Sequence, residues 1–458
     1  MANYLTLEEL AMRTGEKPER LRDWQTRGLI GAEQPDVFLD KDVGRARLIH
    51  DLLHWGIELE TIATAARDPD SIFCRFLDEI GAQFSGPVHT IQEACEIAGI
   101  DLALARRLLD AAGFEGHSEM LEPADVDLLR ATRVALDAGM PEEALIQILR
   151  VYSDAMGRVA EVGQRVSHFY LHDPLRQQGI SSAEIVHRLH EAGSRIEPLV
   201  EPALVYFHRK GMERAQWEDM IMHLEEEAGL AEKSEAPGQI RRAIMFVDLA
   251  SFTPLAEAMG DVRALAILDR FGAITRKAVQ RCHGRIVKQI GDAFMIVFSE
   301  CYSAVSAGLE LEEASSREPS FPAIRIGMHW GPVLYREGDY IGSNVNIASR
   351  LAEEAHRHQF LVTDEVRRHA KSYESAEFVR LGRKRLKGLA AELDVFEVRA
   401  VNPVELDRVA DPVCGMELGP HEIAARLTVD GHEHVFCSDD CLRKFVKAPE
   451  RYTGVAVE

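Results

Sequence analysis

Two carboxylates set at the ends of buried strands constrain this chain more than any other feature. From Arg242 to Thr253 the sequence reads RAIMFVDLASFT: an apolar run, Ala243 to Val247, ends in Asp248, and Ser251, Phe252 and Thr253 follow. A run of β-branched and apolar residues of this length reads as a buried strand. A carboxylate at its end is costly unless something cationic compensates it, although capping of a following helix is the simpler alternative. The second segment is GRIVKQIGDAFMIVF, Gly284 to Phe298, in which two strand-like runs flank Gly291-Asp292. That pattern reads as a β-hairpin. It would bring Asp292 beside Asp248, with Lys288 four residues earlier.

Composition narrows the setting. A chain of 458 residues holds about two to four domains. Its 46% apolar and 28% charged residues are those of an ordinary globular protein. The net charge of −22 disfavours adhesion to nucleic acid or anionic lipid without a local basic patch. No window approaches the roughly 18 uninterrupted apolar residues of a membrane span, and the N-terminal MANYLTLEEL lacks a signal-peptide pattern, so the expectation is a cytoplasmic protein with no membrane partner. The seven cysteines are odd in number and scattered, which argues against a disulfide framework.

The N-terminal half reads as helices, and it repeats. TLEELAMRTG at 6–15 matches TIQEACEIAG at 90–99; Gly28 and Gly113, then Asp42-Val43 and Asp125-Val126, follow at similar distances. The expected units are 1–70 and 86–150. Both resemble the helix-turn-helix module of MerR-type regulators, through phrases such as LRDWQTRGL at 21–29. The double unit is also similar to the regulatory region of actinobacterial soluble adenylyl cyclases. Residues 5–65 carry eight Lys+Arg against twelve Asp+Glu, so a regulatory or dimerising role is favoured over DNA as a partner. Residues 151–228 should form long helices with an apolar stripe through Tyr152, Met156, Val159, Val166 and Phe169 or Tyr170, suited to core or dimer packing. Pro198 and Pro202 should kink or end the second of these helices. His168, His172, His187, His190 and His208 lie in this region and suit either a pH sensor or an ordinary helix surface. A linker is expected at 229–240.

The two strand motifs, with VNIASRL at 345–351, resemble the catalytic domain of the class III nucleotidyl cyclases over residues 241–399. The resemblance implies an α+β ferredoxin-like fold and conversion of ATP to 3′,5′-cyclic AMP and pyrophosphate by a homodimer. It assigns Asp248 and Asp292 to two Mg²⁺ or Mn²⁺ ions, in keeping with the oxygen preference of those cations. Lys288 and Asp339 match the adenine-selecting pair: lysine donates to the ring N1 and aspartate accepts from the 6-amino group. Asn346 would orient the ribose and Arg350 would steady the transition-state phosphate; four apart, they share a helix face. Lys387, in RLKG at 385–388, matches a late-strand lysine that touches the triphosphate. A guanylyl or unselective cyclase is the alternative, as is a metal-responsive transcription regulator whose cyclase domain senses nucleotide.

After a second expected linker, 400–409, DPVCGM at 411–416 and HEHVFCSDDCLRKF at 432–445 resemble a YHS domain over 410–456. Cys437 and Cys441 would sit at a helix N-terminus, a setting that favours thiolates. With Cys414 as third ligand and His432 or His434 as fourth, they could hold Zn²⁺ or another transition metal. A redox-sensitive thiol cluster and a structural role remain as alternatives. The expected fold is therefore multidomain: an all-α N-terminal half, the α+β catalytic domain and a small metal-binding-like module.

Overall fold

A computed structural model describes residues 4–31, 34–67, 73–74, 89–113, 120–229, 236, 238–370, 374–389, 391–402 and 407–453. The chain divides into two units, 1–215 and 216–458. Most of the expected 229–240 linker lies outside the described residues.

The first unit carries the repeat in its backbone. Strand β1 (Tyr4–Thr6) leads into α1 (Leu7–Thr14), followed by α2 (Pro18–Thr26), β2 (Val37–Leu39), α3 (Lys41–His54) and α4 (Leu59–Ala65). The second copy runs β3 (His89–Thr90), α5 (Ile91–Ala98), α6 (Leu102–Ala111), β4 (Met120–Leu121), α7 (Pro123–Asp137) and α8 (Glu142–Ser167). Thr6 and Glu9 form a capping box, and so do Thr90 and Glu93. Asp42 accepts from the Leu39 amide at 2.7 Å, and Asp125 from the Glu122 amide at the same distance. Val43 and Val126, beside these aspartates, are buried in separate cores. Arg47 joins the copies through Glu122 at 2.9 Å. The short β1–β2 and β3–β4 ribbons are the only strands among the described residues of this half.

Helix α8 passes through a π-helical turn, His168–His172, into α9 (Asp173–Gln177); α10 then spans Ser182–Glu227, 46 residues. Of the two outcomes expected at Pro198 and Pro202, a kink or an end, the end does not occur: both lie inside α10. Each proline removes one i→i−4 bond. Spaced by four, they put both losses on one side, and the remaining ladder carries the helix past them. The apolar stripe is not core within the chain, since Tyr152, Met156, Val159, Val166, Phe169 and Tyr170 are between 40% and 75% exposed.

The second unit is built on an eight-stranded sheet. Its strands are β5 (Gln239–Leu249), β6 (Arg285–Ile290), β7 (Ala293–Phe298), β9 (Ile324–Arg336), β10 (Asp339–Ile341), β11 (Gln359–Thr363), β12 (Ala376–Lys384) and β13 (Leu393–Ala400). The order is β12-β13-β11-β9-β5-β7-β6, with β10 hairpinned onto β9. Helices α11 (Phe252–Met259) and α12 (Asp261–Arg281) lie between β5 and β6, and α13 (Cys301–Arg317) lies between β7 and β9. The strands β9-β5-β7-β6 thus stand in the 4-1-3-2 order of a ferredoxin-like βαββαβ core.

Alternation along β5 sorts its two faces. Ala243, Met245, Val247 and Leu249 join the core with α12 and α13, while Ile244 and Phe246 face α14 (Ser343–Glu354). Helix α14 sits directly on β9 at Gly327, where a Cβ would come within 2.0 Å of the Ala352 amide nitrogen. α15 (Asp364–His369) follows β11.

The C-terminal residues form β14 (Val409–Ala410), β15 (Met416–Leu418), β16 (Ala425–Val429), β17 (His432–Phe436), α16 (Asp439–Lys447) and α17 (Glu450–Thr453). This segment docks on the sheet domain. β15 pairs with the two-residue strand β8 (Phe321–Pro322), and Cys414, Met416, Phe436 and Phe445 share one core with the large sheet.

Candidate active site and thiol centre

The strand and the hairpin deliver the two carboxylates to one place. Asp248 faces Ala293, the residue after Asp292, across the β5–β7 ladder. Burial pushes the Asp248 carboxyl up to about 6; Arg325 opposes that shift and the neighbouring Asp292 adds to it. Arg325 lies directly opposite Asp248 on β9 and is ion-paired with it. The Nε of Arg325 is buried with no hydrogen-bond partner among the described residues. Two adjacent, partly buried carboxylates with a single guanidinium as counter-charge are a donor set that fits divalent, oxygen-seeking cations.

Lys288 on β6 and Asp339 on β10 come together as an ion pair, although 51 residues separate them. The β9–β10 hairpin that carries Asp339 is pinned by Arg285, which donates to the Tyr340 hydroxyl at 2.6 Å and lies over the Tyr335 and Tyr340 rings. Asn346 and Arg350 both fall on α14, as the spacing requires. The helix start is fixed by buried His329, whose Nε2 donates to Asn344 Oδ1 at 3.0 Å while its Nδ1 accepts from Thr363 at 2.8 Å. Ala348, Leu351 and Ala352 turn inward, so Asn346 is exposed and Arg350 points outward to Glu353 at 2.6 Å. Lys387 differs from the expectation: β12 ends at Lys384, and Lys387 lies in the turn beyond, anchored by buried Leu386.

The sequence reading missed Arg325. Its signal was a lone cation in the apolar run of β9, but its partner depends on the cross-strand register, which no local pattern gives.

The second centre gathers three thiols. Cys437 Sγ lies 3.6 Å from both Cys414 Sγ and Cys441 Sγ. These are free thiols spaced near the ~3.8 Å edge of a tetrahedron with ~2.3 Å zinc–sulfur bonds. Hydrogen bonds from Cys414 and Cys437 hold the Cys441 thiol well below its usual range, whereas bonding to Cys437 and Cys441, with burial, pushes Cys414 well above it. Ser438 caps α16 through the Cys441 amide, so Cys437 and Cys441 stand at a helix N-terminus as expected.

His434 does not join them. It lies on β17 with its ring 4.8 Å from Phe445, because strand alternation sets it beside that aromatic rather than toward the sulfurs. The carboxylate of Asp411 takes its place in the cluster. Asp411 accepts from the Val413 amide at 2.8 Å and the Cys437 amide at 2.8 Å, tying together the two loops that carry the cysteines.

Four family models match the chain. These are the adenylate and guanylate cyclase catalytic domain over 236–399, the adenylate cyclase regulatory domain over 41–208, the YHS domain over 409–456 and the MerR HTH family regulatory protein over 5–68. An uncharacterised protein of Mycobacterium tuberculosis is 30% identical, the match covering 61% of this chain and 72% of that one. The adenylate cyclase of Streptomyces coelicolor is 28% identical over 60% of this chain and 69% of its own. A pH-sensitive adenylate cyclase of M. tuberculosis is 26% identical over 78% and 88%. Among solved structures, the adenylyl cyclase CyaB of P. aeruginosa is 21% identical over 36% of this chain and 96% of its own, with a TM-score of 0.32.

Proposed function

We propose that this chain, which belongs to the adenylate and guanylate cyclase family, converts ATP to 3′,5′-cyclic AMP and pyrophosphate in a site shared by two copies of itself. The observation that carries the base choice is the meeting of Lys288 with Asp339, a donor and an acceptor held side by side to read the N1 and 6-amino edge of adenine. Asp248 and Asp292 would hold the divalent cations, which would supply activation of the 3′-hydroxyl and compensation of charge on the phosphates. Asn346 orients the ribose, Arg350 places a permanent positive charge at the transition-state phosphate, and Lys387 contacts the triphosphate.

The outward facing of Asn346 and Arg350 supports the homodimer. They stand on the side of α14 away from the sheet that carries Asp248, so a partner's site is the natural destination. Exposed Ile290 and Ile341, close in sequence to Lys288 and Asp339, suit the same interface. The N-terminal helices tune activity, with the stripe of α8 available for pairing between copies. The C-terminal module reports a metal ion or redox state through its thiols.

The test is to mix Asp248→Ala with Arg350→Ala, each inactive alone. Random pairing should restore about a quarter of the wild-type rate, because half the dimers then hold one intact site. No recovery on mixing would remove the shared site.

A further inference from the structure

The C-terminal module holds α11 at both ends, and each hold is tied to a cysteine of the thiol centre. Gly415 follows Cys414, has φ +72°, and approaches Ser251 so closely that a Cβ on it would lie 2.9 Å from Ser251 Cβ. Ser251, itself at φ +64°, is the N-cap of α11 and stands three residues after Asp248. At the other end Lys444 donates to the carbonyls of Glu257 and Ala258, at 3.2 and 2.6 Å, in the last turn of α11. Lys444 lies on α16 one turn beyond Cys441, so the two move as one helix face.

Further contacts keep the module seated. Arg357 donates to the Gly415 carbonyl at 2.8 Å and to Glu417 at 3.1 Å, and β15 is paired to β8. Between α11 and the module opens a cleft of about 1450 Å³, lined by Ser251, Glu257, Arg325, Arg357, His434 and Lys444. Arg325, the partner of Asp248, is thus on the wall of a cleft that the module also lines.

An ion held by the three sulfurs would lock the Cys414 loop to the start of α16. The loop packs against the start of α11 and α16 bonds to its end, and the chain entering α11 carries Asp248. Three thiolates select a soft or borderline cation such as Zn²⁺, whereas the two aspartates select Mg²⁺ or Mn²⁺, so the centres can be filled independently.

We propose that the Cys414/Cys437/Cys441 centre is an effector site for a thiophilic metal ion, coupled to the Asp248 site through the two ends of α11. This rests on the cyclase reading for the meaning of the output, but the coupling is measurable without turnover. By linkage, if occupancy at the thiols changes affinity at the carboxylates, Mn²⁺ with nucleotide must change affinity at the thiols by the same factor.

Co²⁺ is the probe for the full chain, since only thiolate ligation gives it a sulfur-to-metal charge-transfer band, and Zn²⁺ is then titrated to displace it. The expected result is one Co²⁺ per chain at the thiols, with the Zn²⁺ dissociation constant shifting by roughly fivefold or more when Mn²⁺ and a non-cyclising ATP analogue are added. Lys444→Met should leave Zn²⁺ affinity without nucleotide unchanged and bring the shift toward one. Cys441→Ser, the control, should lose the band. No band in the wild type, a Zn²⁺ constant indifferent to nucleotide, or full coupling in Lys444→Met would each overturn the proposal. A linkage found in a chain without turnover would leave it standing and refute the cyclase reading instead.

Discussion

The chain builds two acidic donor sets within one packed unit and neutralises them differently. At the carboxylate centre, Asp248 and Asp292 lie at the open end of a strand and in a hairpin turn, with Arg325 as counter-charge. At the thiol centre, Cys414 and Cys441 are almost completely buried, and the sulfurs share charge by hydrogen bonds among themselves while Asp411 is held by backbone amides. The first set is partly open and offers the oxygens that hard divalent cations prefer. The second is closed and offers sulfurs, which softer cations prefer. The contrast shows how one fold can keep two donor sets apart by burial and donor type.

The comparison can be broken most sharply at Asp248. Asp248→Ala should lower turnover by at least about a hundredfold to a thousandfold, while the Co²⁺ band at the thiols stays intact. A band lost together with activity would mean that the two centres are not separate.

Next in size is base selection. Lys288→Glu combined with Asp339→Cys should move the ATP-to-GTP preference in kcat/KM by about a hundredfold toward GTP. An unchanged ratio would show that this pair does not read the base. A smaller effect is expected from Cys414→Ser: the thiol centre should lose its affinity for metal, with turnover changed by less than about tenfold, because none of the proposed catalytic residues is a cysteine.

The smallest effect concerns how the module stays docked. His358 sits between Glu312 of α13 and Glu417 of β15, and Arg357 also reaches Glu417. Burial alone would lower its pKa, but the hydrogen bonds to Glu312 and Glu417 outweigh that and push it up to about 9. A folded value above the unfolded ~6.5 means that this docking contribution is fully present below about 6.5. It is lost as pH rises through about 9. Thermal unfolding of the full chain followed from pH 6.5 to 9.5 should show this decline, and His358→Gln should flatten it.

Much of the catalytic domain was legible because its elements are local. The apolar run before Asp248 became β5, the Gly291-Asp292 turn became the β6–β7 hairpin, and the spacing of Asn346 and Arg350 placed them on one helix face. The duplicated N-terminal units were legible because the same capping box and the same aspartate-to-amide bond recur in each. What stayed hidden depends on long-range register. Arg325 meets Asp248 only through the β5–β9 ladder, and Asp411 replaces His434 only because a turn folds it back on the cysteines. The docking of β15 on a strand of only two residues, Phe321–Pro322, leaves no pattern to read. The stripe on α8 followed helical spacing correctly, but periodicity does not say whether the covering surface belongs to the same chain.

The measurement that bears most directly on the central claim is cyclic nucleotide formation by the purified full chain with Mn²⁺, offered ATP and GTP separately, with Asp248→Ala as the blank. Cyclic AMP from ATP, with little or no cyclic GMP from GTP and none from the blank, is the predicted result. Cyclic GMP formed as fast as cyclic AMP, or no product from either nucleotide, would contradict it.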